Sequence, residues 1–339
     1  MANGFCQNCW PGKSSIHLLM KGRGTPYFRS LFEHMAKHQF HFYQAFGWKI
    51  KSEIPLPELT VADESGNSNV VIVYAEVPKE LEGAARPGKN TYAKKGQFLF
   101  IPNEDARFWV INGNEVRVWK NKQFDETELR SYILASVFGA IAHQRGMLPL
   151  HGSAVAHNGY AHILCGTTGS GKSTTAAALH EIGLAVFAED LSAIEMHRQN
   201  GPLLNFGSNR MKLMEDALLN LGYNPEKFER LPYGLNKFSY PVNKTIAETK
   251  LPIKHLYILS KENTDRVTIK ELNKIDCLRT ALHHTFRQRM VAGLGIQKEH
   301  FNHCQQLCDN VKAFSVQRPS TGNSIGETAQ SIAAHIKSN

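Results

Sequence analysis

A glycine-rich segment near the middle of the chain, Gly166-Thr167-Thr168-Gly169-Ser170-Gly171-Lys172-Ser173, matches the pattern G-x-x-x-x-G-K-[ST] at every fixed position. An apolar run, Ala161 to Cys165, precedes this segment, and good helix formers, "STTAAALHEIG", follow it. A strand, a glycine loop and a helix in this order indicate an α/β domain with the loop at the end of a sheet strand.

The residue types of this segment are those that a phosphate group requires. Glycines let the backbone curl without side-chain clashes, so that several N–H groups point inward at the positive end of the following helix. Lys172 adds a point charge for the β and γ phosphates, and the Ser173 hydroxyl is a ligand for Mg²⁺. Thr174 or Thr175 lines the side of the site that faces the nucleotide base or the helix. The segment therefore predicts binding of ATP and Mg²⁺ by Gly166, Thr167, Thr168, Gly169, Ser170, Gly171, Lys172, Ser173 and Thr174.

An acidic pair, Glu189-Asp190, ends the apolar run "GLAVFAED" one helix after the loop. Ligands gather at the carboxyl ends of parallel strands, so we expect the pair near the phosphates. One acid would hold Mg²⁺ together with Ser173, and the other would accept a proton from an attacking hydroxyl or water. Asp190 is the stronger candidate for the metal. Because adjacent strand residues face opposite ways, we expect only one acid to face the site.

The sequence divides into three parts: residues 1–42, 43–124 and 125–339. The first part has no clear period and is interpreted as an extension; its lone Cys6-x-x-Cys9 is not typical of a zinc site. The second part has short segments rich in β-branched and aromatic residues, which predict a small antiparallel β module. Within it, Asn112-Gly113-Asn114 predicts a hairpin turn.

The third part alternates helices and strands, which predicts the α/β domain. "DETELRSYILASVFGAIAHQRG" has helical spacing, with Asp125 as the cap and Gly146 at the end. "LPLHGSAVAHNGYAHILCG" predicts two strands joined at Asn158-Gly159. Further strands are predicted for "LAVFAEDLSAIE", "HLYILS" and "VKAFSVQRP", and further helices for "IDCLRTALHHTFRQRMVAGLG", "KEHFNHCQQLCDN" and "IGETAQSIAAHIKSN".

Charge and cysteine usage restrict the partners. The chain of 339 residues has a net charge of +9, which favours an acidic partner such as a nucleotide or an acidic peptide. The sequence contains no dense Lys/Arg block of the kind that would indicate nucleic-acid binding, and it contains no apolar run long enough to span a membrane. The spacing of the six cysteines does not suggest a disulfide framework, so we expect reduced thiols. Together with a start that lacks the apolar core of a signal peptide, this predicts a cytoplasmic protein.

The combination of motifs resembles the catalytic core of HPr serine kinase/phosphorylase. "LPLHGSAV" places His151 15 residues before Gly166, with a hairpin between them and the acidic pair after the loop. "FGSNRMKLMEDAL" is similar to a G-x-P-x-I-R-L segment of that group, with Asn209 in place of the proline. The resemblance covers about Glu128 to Ile336. It implies a compact P-loop kinase core of the HPr kinase/PEP carboxykinase-like type, in which His151 and the paired acids gather at the γ-phosphate, and it implies a homo-oligomer.

"YQAFGWKIKSEIPLPEL" resembles the opening of the HPr-kinase-like proteins of lasso peptide biosynthesis. This resemblance implies phosphorylation of a precursor peptide on its C-terminal serine. Two departures from the HPr kinase pattern matter. Glu189 replaces the first Asp of the usual pair, which leaves the identity of the base open. No arginine-glycine segment of the phosphorolysis site is found, although "LPYGLNKFSY", with Lys237, lies roughly there, so reverse phosphorolysis is not expected.

The hypothesis is therefore an ATP-dependent serine kinase with His151, Lys172, Glu189 and Asp190 as catalytic residues. Contacts to phosphate or substrate are expected from Arg210, Lys212 and Lys237, and more weakly from Arg287. These residues also have a purely structural interpretation: His151 would be a histidine whose hydrogen bonds are satisfied within the fold, and the cations would be surface charges. Three alternatives share the same motifs: a small-molecule kinase acting, for example, on free serine, an HPr-type protein serine kinase, and a nucleotide-dependent binding module without turnover.

Overall fold

The computed structural model describes residues 39–64, 66–197, 199–207, 210–231, 236–242 and 248–338. The predicted extension, including Cys6 and Cys9, lies almost entirely outside these residues, as does Asn209. Within them, the first part of the fold is a nine-stranded sheet with the order β3-β1-β2-β4-β9-β8-β7-β6-β5. Its strands are β1 His41–Ala45, β2 Trp48–Ser52, β3 Thr60–Val61, β4 Val70–Tyr74, β5 Ala85–Gly88, β6 Thr91–Lys94, β7 Gln97–Asn103, β8 Ala106–Ile111 and β9 Glu115–Lys120.

The prediction of a purely antiparallel module is wrong at the centre of this sheet. β4 pairs in parallel with both β2 and β9, whereas the other neighbours are antiparallel. The chain leaves β4, forms the β5–β8 meander, and returns through β9 to the open edge of β4. Local turn signals cannot reveal this pairing, because β4 and β9 are separated by four other strands.

The two predicted hairpin turns are confirmed. Asn112 and Gly113 have φ values of 48° and 66° between β8 and β9, and Asn158 and Gly159 have 49° and 77° in the next hairpin. The β10–β11 connection has two residues and the β8–β9 connection has three, Asn112 to Asn114; in both, two successive positive φ values match the twist of the flanking strands and favour Asn-Gly.

The predicted helix after the β module is present, in two pieces. α1 Glu126–Tyr132 and α2 Phe138–Gln144 are joined by a π-helical turn, Ile133–Val137. Asp125 caps α1 by accepting from the N–H groups of Thr127 and Glu128. The apolar face of this helix packs in the core of the first sheet through Leu129, Ile133, Val137, Phe138 and Ile141. The predicted boundary at residues 124 and 125 thus falls between two elements that share one core; the domain division itself stays a prediction.

The second sheet is mixed and follows the order β11-β10-β13-β14-β18-β20-β19, with β12 paired to β10 and β11 also paired to β18. Strands β11, β18 and β20 run parallel, and β10 is antiparallel to β11. A smaller sheet has the order β15-β17-β16. The strands are β10 Leu148–His157, β11 Tyr160–Gly166, β12 Ala185–Ala188, β13 Leu191–His197, β14 Gly201–Asn205, β15 Arg210–Met214, β16 Glu229–Arg230, β17 Lys237–Pro241, β18 Lys250–Glu262, β19 Thr268–Glu271 and β20 Lys312–Pro319.

The helices beside these sheets are α3 Lys172–Glu181, α4 Glu215–Asn220, α5 Lys274–His283, α6 Arg289–Leu294, α7 Gln297–Asn310 and α8 Ile325–Ser338. Two predictions need correction. "LAVFAEDLSAIE" is not one strand but β12 and β13, which part at the acidic pair. "IDCLRTALHHTFRQRMVAGLG" is not one helix, because the segment 284–288 leaves the helical path to contact β10: Thr285 bridges to Leu150, and the Phe286 N–H donates to the Pro149 carbonyl.

The prediction that all cysteines are reduced is also wrong. Cys277 of α5 and Cys308 of α7 form a disulfide, whereas Cys165 and Cys304 are free and buried. The 31-residue separation gives no pairing signal in the sequence, because the bond depends on α5 and α7 packing side by side. The described part of the chain contains no helix whose length and apolar character would allow it to cross a membrane.

Candidate functional site

The glycine-rich loop connects β11 to α3 as predicted. β11 ends at Gly166, the loop runs through residues 167–171, and α3 begins at Lys172. Lys172 is 8% exposed, and its ammonium donates to the carbonyls of Gly166 at 2.9 Å and Thr167 at 3.2 Å. Ser173 and Thr174 follow in the first turn of α3, where the leading N–H groups have no partner within the helix. A phosphate at this position would face the positive end of a ten-residue helix.

Two loop glycines are required by space as well as by backbone angle. Gly166 has φ 152°, and a Cβ there would be 2.5 Å from the Leu259 carbonyl oxygen. Gly171 has φ 99°, and its Cβ would be 2.9 Å from the guanidinium of Arg318. The contact at Gly166 is with the backbone and cannot be relieved by a side-chain shift, whereas at Gly171 the contact is with the end of a side chain and the φ of 99° is what favours glycine.

The acidic pair lies at the same end of the second sheet as the loop. β11 and β12 both run antiparallel to β10, which lies between them, so their carboxyl ends meet at one edge. Ser173 Oγ donates to Glu189 Oε1 at 3.3 Å. The sequence favoured Asp190 as the metal partner of Ser173, but the structure places Glu189 next to that hydroxyl.

Asp190 is the centre of a tight γ-turn. Its φ is 63°, and the Leu191 N–H donates to the Glu189 carbonyl at 2.7 Å. This turn is rare and strained for a residue other than glycine. It breaks the alternation of side chains, so that Glu189 reaches Ser173 of the loop while Asp190 lies 3.8 Å from His151. The expectation that only one acid faces the site is therefore wrong.

His151 lies on β10 directly beside the pair. Its Nε2 is 3.8 Å from Asp190 Oδ1, and the neighbouring Gly152 N–H donates to the Asp190 carbonyl at 3.2 Å. Gly152 permits the close approach of β10 to β11, since a Cβ there would be 2.7 Å from the Leu164 carbonyl oxygen. The predicted His-Gly pair thus serves both strand packing and the position of the imidazole.

A short segment after α5 holds His151 from the other side. The His151 N–H donates to the His284 carbonyl at 2.7 Å, and the Phe286 ring stacks on the imidazole with centroids 5.8 Å apart. His143 Nε2 bonds to the Phe286 carbonyl at 2.9 Å, so α2 fixes this segment in turn. The sequence analysis did not identify these supports, because they join α2 and β10 to a segment that is distant from both in the chain.

The protonation equilibria of the site are shifted by burial and by neighbouring charge. Burial raises the pKa of Glu189, and the charge of Asp190 raises it further, while Lys212 and Lys237 lower it. Burial lowers the pKa of His151, which Asp190 partly counteracts. Burial also lowers the pKa of Lys172. Such shifted groups at one sheet edge are typical of a functional site.

The predicted cations differ in their positions. Lys212 and Lys237 lie close enough to Glu189 to lower its pKa, and Lys237 and Arg287 act in the same way on His151. Arg210 instead forms an ion pair with Glu229 at 3.7 Å, between β15 and β16. Lys212 and Lys237 thus act on Glu189, Lys237 and Arg287 act on His151, and Arg210 has an ion-pair partner of its own.

The donor set fits Mg²⁺ bound together with a nucleotide. The described residues contain no group of three or more His, Cys, Asp or Glu side chains arranged to hold a metal ion alone. Mg²⁺ usually takes only one or two carboxylates and completes its shell with phosphate oxygens and water. Ser173 Oγ and the Glu189 carboxylate, at the mouth of the glycine cradle, supply that partial set.

No protein-family model and no curated protein matches the chain. Among solved structures it is similar to the HPr(Ser) kinase/phosphatase from Coxiella burnetii, with 10% identity and a TM-score of 0.28, over 56% of this chain and 97% of that one. The neighbour is a kinase and phosphatase by name. A likeness of this size transfers no activity to the present chain.

Proposed function

We propose that this protein is a Mg²⁺-ATP-dependent kinase that phosphorylates a serine hydroxyl of a peptide. The observation that carries the proposal is the division of the acidic pair: Glu189 contacts Ser173 of the phosphate loop, and Asp190 contacts His151. One carboxylate is thus placed for a metal ion and the other for a proton.

The residues have distinct roles in this proposal. Glycine-loop N–H groups and Lys172 bind the phosphates, and Ser173 and Glu189 would hold Mg²⁺, which would supply positive charge to neutralise the phosphates. Asp190 accepts the proton of the serine hydroxyl. The serine oxygen forms a bond to the γ-phosphorus while the bond between that phosphorus and the departing ADP oxygen breaks. His151, whose Nε2 lies 3.8 Å from Asp190 Oδ1, is placed to orient that carboxylate, and burial lowers the pKa of its imidazole.

The proposed acceptor is the C-terminal serine of a peptide, most specifically of a lasso precursor peptide. A C-terminal serine presents a carboxylate within a few bonds of its hydroxyl. Lys212 and Lys237 act electrostatically on Glu189, and Lys237 and Arg287 act on His151; such cations suit a substrate carboxylate. Free serine shares this carboxylate but adds an ammonium group, which these cations would repel.

The test is transfer of labelled γ-phosphate to four acceptors: a peptide ending in serine with a free carboxylate, its C-terminal amide, the matching peptide ending in alanine, and free serine. We expect transfer to the first acceptor and much less to the other three, and we expect Lys172→Ala to abolish it. Preferred transfer to free serine would favour the small-molecule kinase. Nucleotide binding without transfer to any acceptor, unchanged by replacing both acids, would favour a binding module and contradict the proposal.

A further inference from the structure

A buried cation, Arg318, lies directly behind the phosphate loop. It is near the end of β20, and it is 5% exposed. Its Nε donates to the Ser170 carbonyl at 3.1 Å, and its Nη1 donates to Ser324 Oγ at 3.1 Å. The guanidinium therefore joins the phosphate loop to the segment that leads into α8.

These contacts fix one peptide group of the loop. The Ser170–Gly171 bond is trans, so its carbonyl and N–H point in opposite directions. Because the Ser170 carbonyl points at Arg318, the Gly171 N–H points away from it. Backbone N–H groups at this position of a phosphate-binding loop are the donors for the α and β phosphates. Arg318 thus sets the direction of one of these donors without reaching the phosphate side itself.

The charge of Arg318 has no carboxylate counter-ion in the described part of the chain, where none of the ion pairs includes it. Burial lowers the pKa of the guanidinium because the charged form loses water. A buried charge is costly unless an opposite charge lies nearby. A nucleotide triphosphate on the other side of the loop would provide that charge.

We propose that Arg318 is a positioning residue for the nucleotide: it orients the Ser170–Gly171 peptide toward the α and β phosphates, and the bound phosphates balance its charge. The inference rests on the proposed function, since it requires a nucleotide in the loop. It adds a residue that no loop motif contains. Because ATP and ADP share the α and β phosphates, Arg318 acts on both equally, whereas Lys172 also serves the γ-phosphate.

The test measures the dissociation constants of Mg²⁺-ATP and Mg²⁺-ADP by calorimetry for the wild type and four variants. Arg318→Gln is expected to weaken both nucleotides by at least about tenfold, by the same factor for each. Arg318→Lys keeps the charge but cannot form the planar two-point contact, so it does not restore binding. Ser324→Ala, which removes one anchor of the guanidinium, weakens both nucleotides by a smaller factor. Arg279→Gln is the matched control, because Arg279 is a surface arginine paired with Asp276, and it leaves both constants unchanged.

The outcomes separate this inference from the proposed function. If the wild type binds no nucleotide, both fail. If the wild type binds ATP but Arg318→Gln and Ser324→Ala bind it equally well, the positioning role is wrong and the kinase proposal stands. Full rescue by Arg318→Lys would show that charge alone matters, which also overturns the positioning role. If Arg318→Gln does not fold, Ser324→Ala and Arg318→Lys decide, with circular dichroism as the check on folding.

Discussion

Residues with left-handed backbone occur in the hairpins and at the edge of the second sheet where the glycine loop, the acidic pair and the segment 284–288 meet His151, which we call the phosphate edge, but different residue types occupy the two places. Asn112 and Asn158 adopt φ values of 48° and 49° in hairpins, where Asn tolerates this conformation well. Asp190 and Arg287 adopt 63° and 50°, and both act electrostatically on His151. In the hairpins the left-handed conformation of the backbone explains why Asn occupies these positions. The γ-turn at Asp190 and the long side chain at Arg287 make a positive φ costly there, and we infer that these residues are kept for what their side chains contribute to the site.

Phe46 shows that packing can also offset this cost. Its φ is 53° in the turn between β1 and β2. Its ring packs against Trp48 and Phe138 at centroid distances of 5.3 Å and 5.9 Å, within the core of the first sheet. Burial of the ring stabilises this turn, whereas the half-exposed Asp190 has no such compensation.

The sharpest test of the comparison is the isosteric change Asp190→Asn. It keeps the size of the side chain and the γ-turn but removes the proposed proton acceptor. We expect the turnover of phosphate transfer to fall by about 10²–10⁴-fold, the usual contribution of a general base, with little change in the free energy of unfolding. Steady-state kinetics and chemical denaturation of the same preparation provide the two measurements.

The matched control is Asn158→Asp, which makes the reverse change at a left-handed hairpin residue. It is expected to leave turnover unaltered. Retained activity in Asp190→Asn would mean that the γ-turn does not hold a base, and Glu189 would take that role instead.

The second test concerns the electrostatic repulsion between the carboxylates of Glu189 and Asp190. Burial and the charge of Asp190 raise the pKa of Glu189, so this carboxylate is lost to protonation at a higher pH than an ordinary glutamate. We therefore expect Mg²⁺-ATP affinity to fall on the acid side from a pH above the usual glutamate range. In Asp190→Asn the neighbouring charge is gone, so the fall should move to lower pH. Titration calorimetry from pH 5 to pH 8 checks both curves.

The same shift has a defined sign for stability in the absence of Mg²⁺. A carboxyl with a raised pKa in the folded state favours folding below its unfolded pKa and loses that contribution as the pH rises through the folded value. Asp190→Asn should flatten this decline. If the fall of Mg²⁺-ATP affinity at acid pH is identical in wild type and variant, the two acids are not electrostatically linked.

Local signals in the sequence were sufficient for a large part of the fold. Asn112-Gly113 and Asn158-Gly159 mark both hairpins because the turn conformation is decided by two residues. The glycine loop was also found in its strand–loop–helix setting, and His151 and the acids were found near it. In each of these cases the information lies within a window of a few residues.

The remaining features depend on contacts between distant segments. The parallel pairing of β4 and β9, the Cys277–Cys308 disulfide and the support of His151 by Phe286 have no local signature. Asp190 was expected at the end of a continuous strand, because the pattern "AVFAEDLSAIE" is apolar on both sides; in the structure it is the centre of a γ-turn whose Asp190 carbonyl accepts from the Gly152 N–H of β10. Arg318 had one available signal, a cation near the carboxyl end of a strand, the edge at which ligands gather.

The smallest expected effect isolates the backbone cost itself. In Arg287→Gly the left-handed conformation becomes unstrained, and the exposed guanidinium leaves no cavity, so the free energy of unfolding should rise by about 1 kcal/mol. Asn158→Gly should change it by no more than about 0.5 kcal/mol, because Asn already tolerates this conformation. Chemical denaturation measures both.

Arg287→Gly should at the same time weaken transfer to the serine-terminated peptide, since a cation beside His151 is lost. A variant that is more stable and less active would show that Arg287 is kept for its charge at the expense of the backbone, whereas equal stability changes in the two glycine variants would remove the distinction between hairpin and phosphate edge.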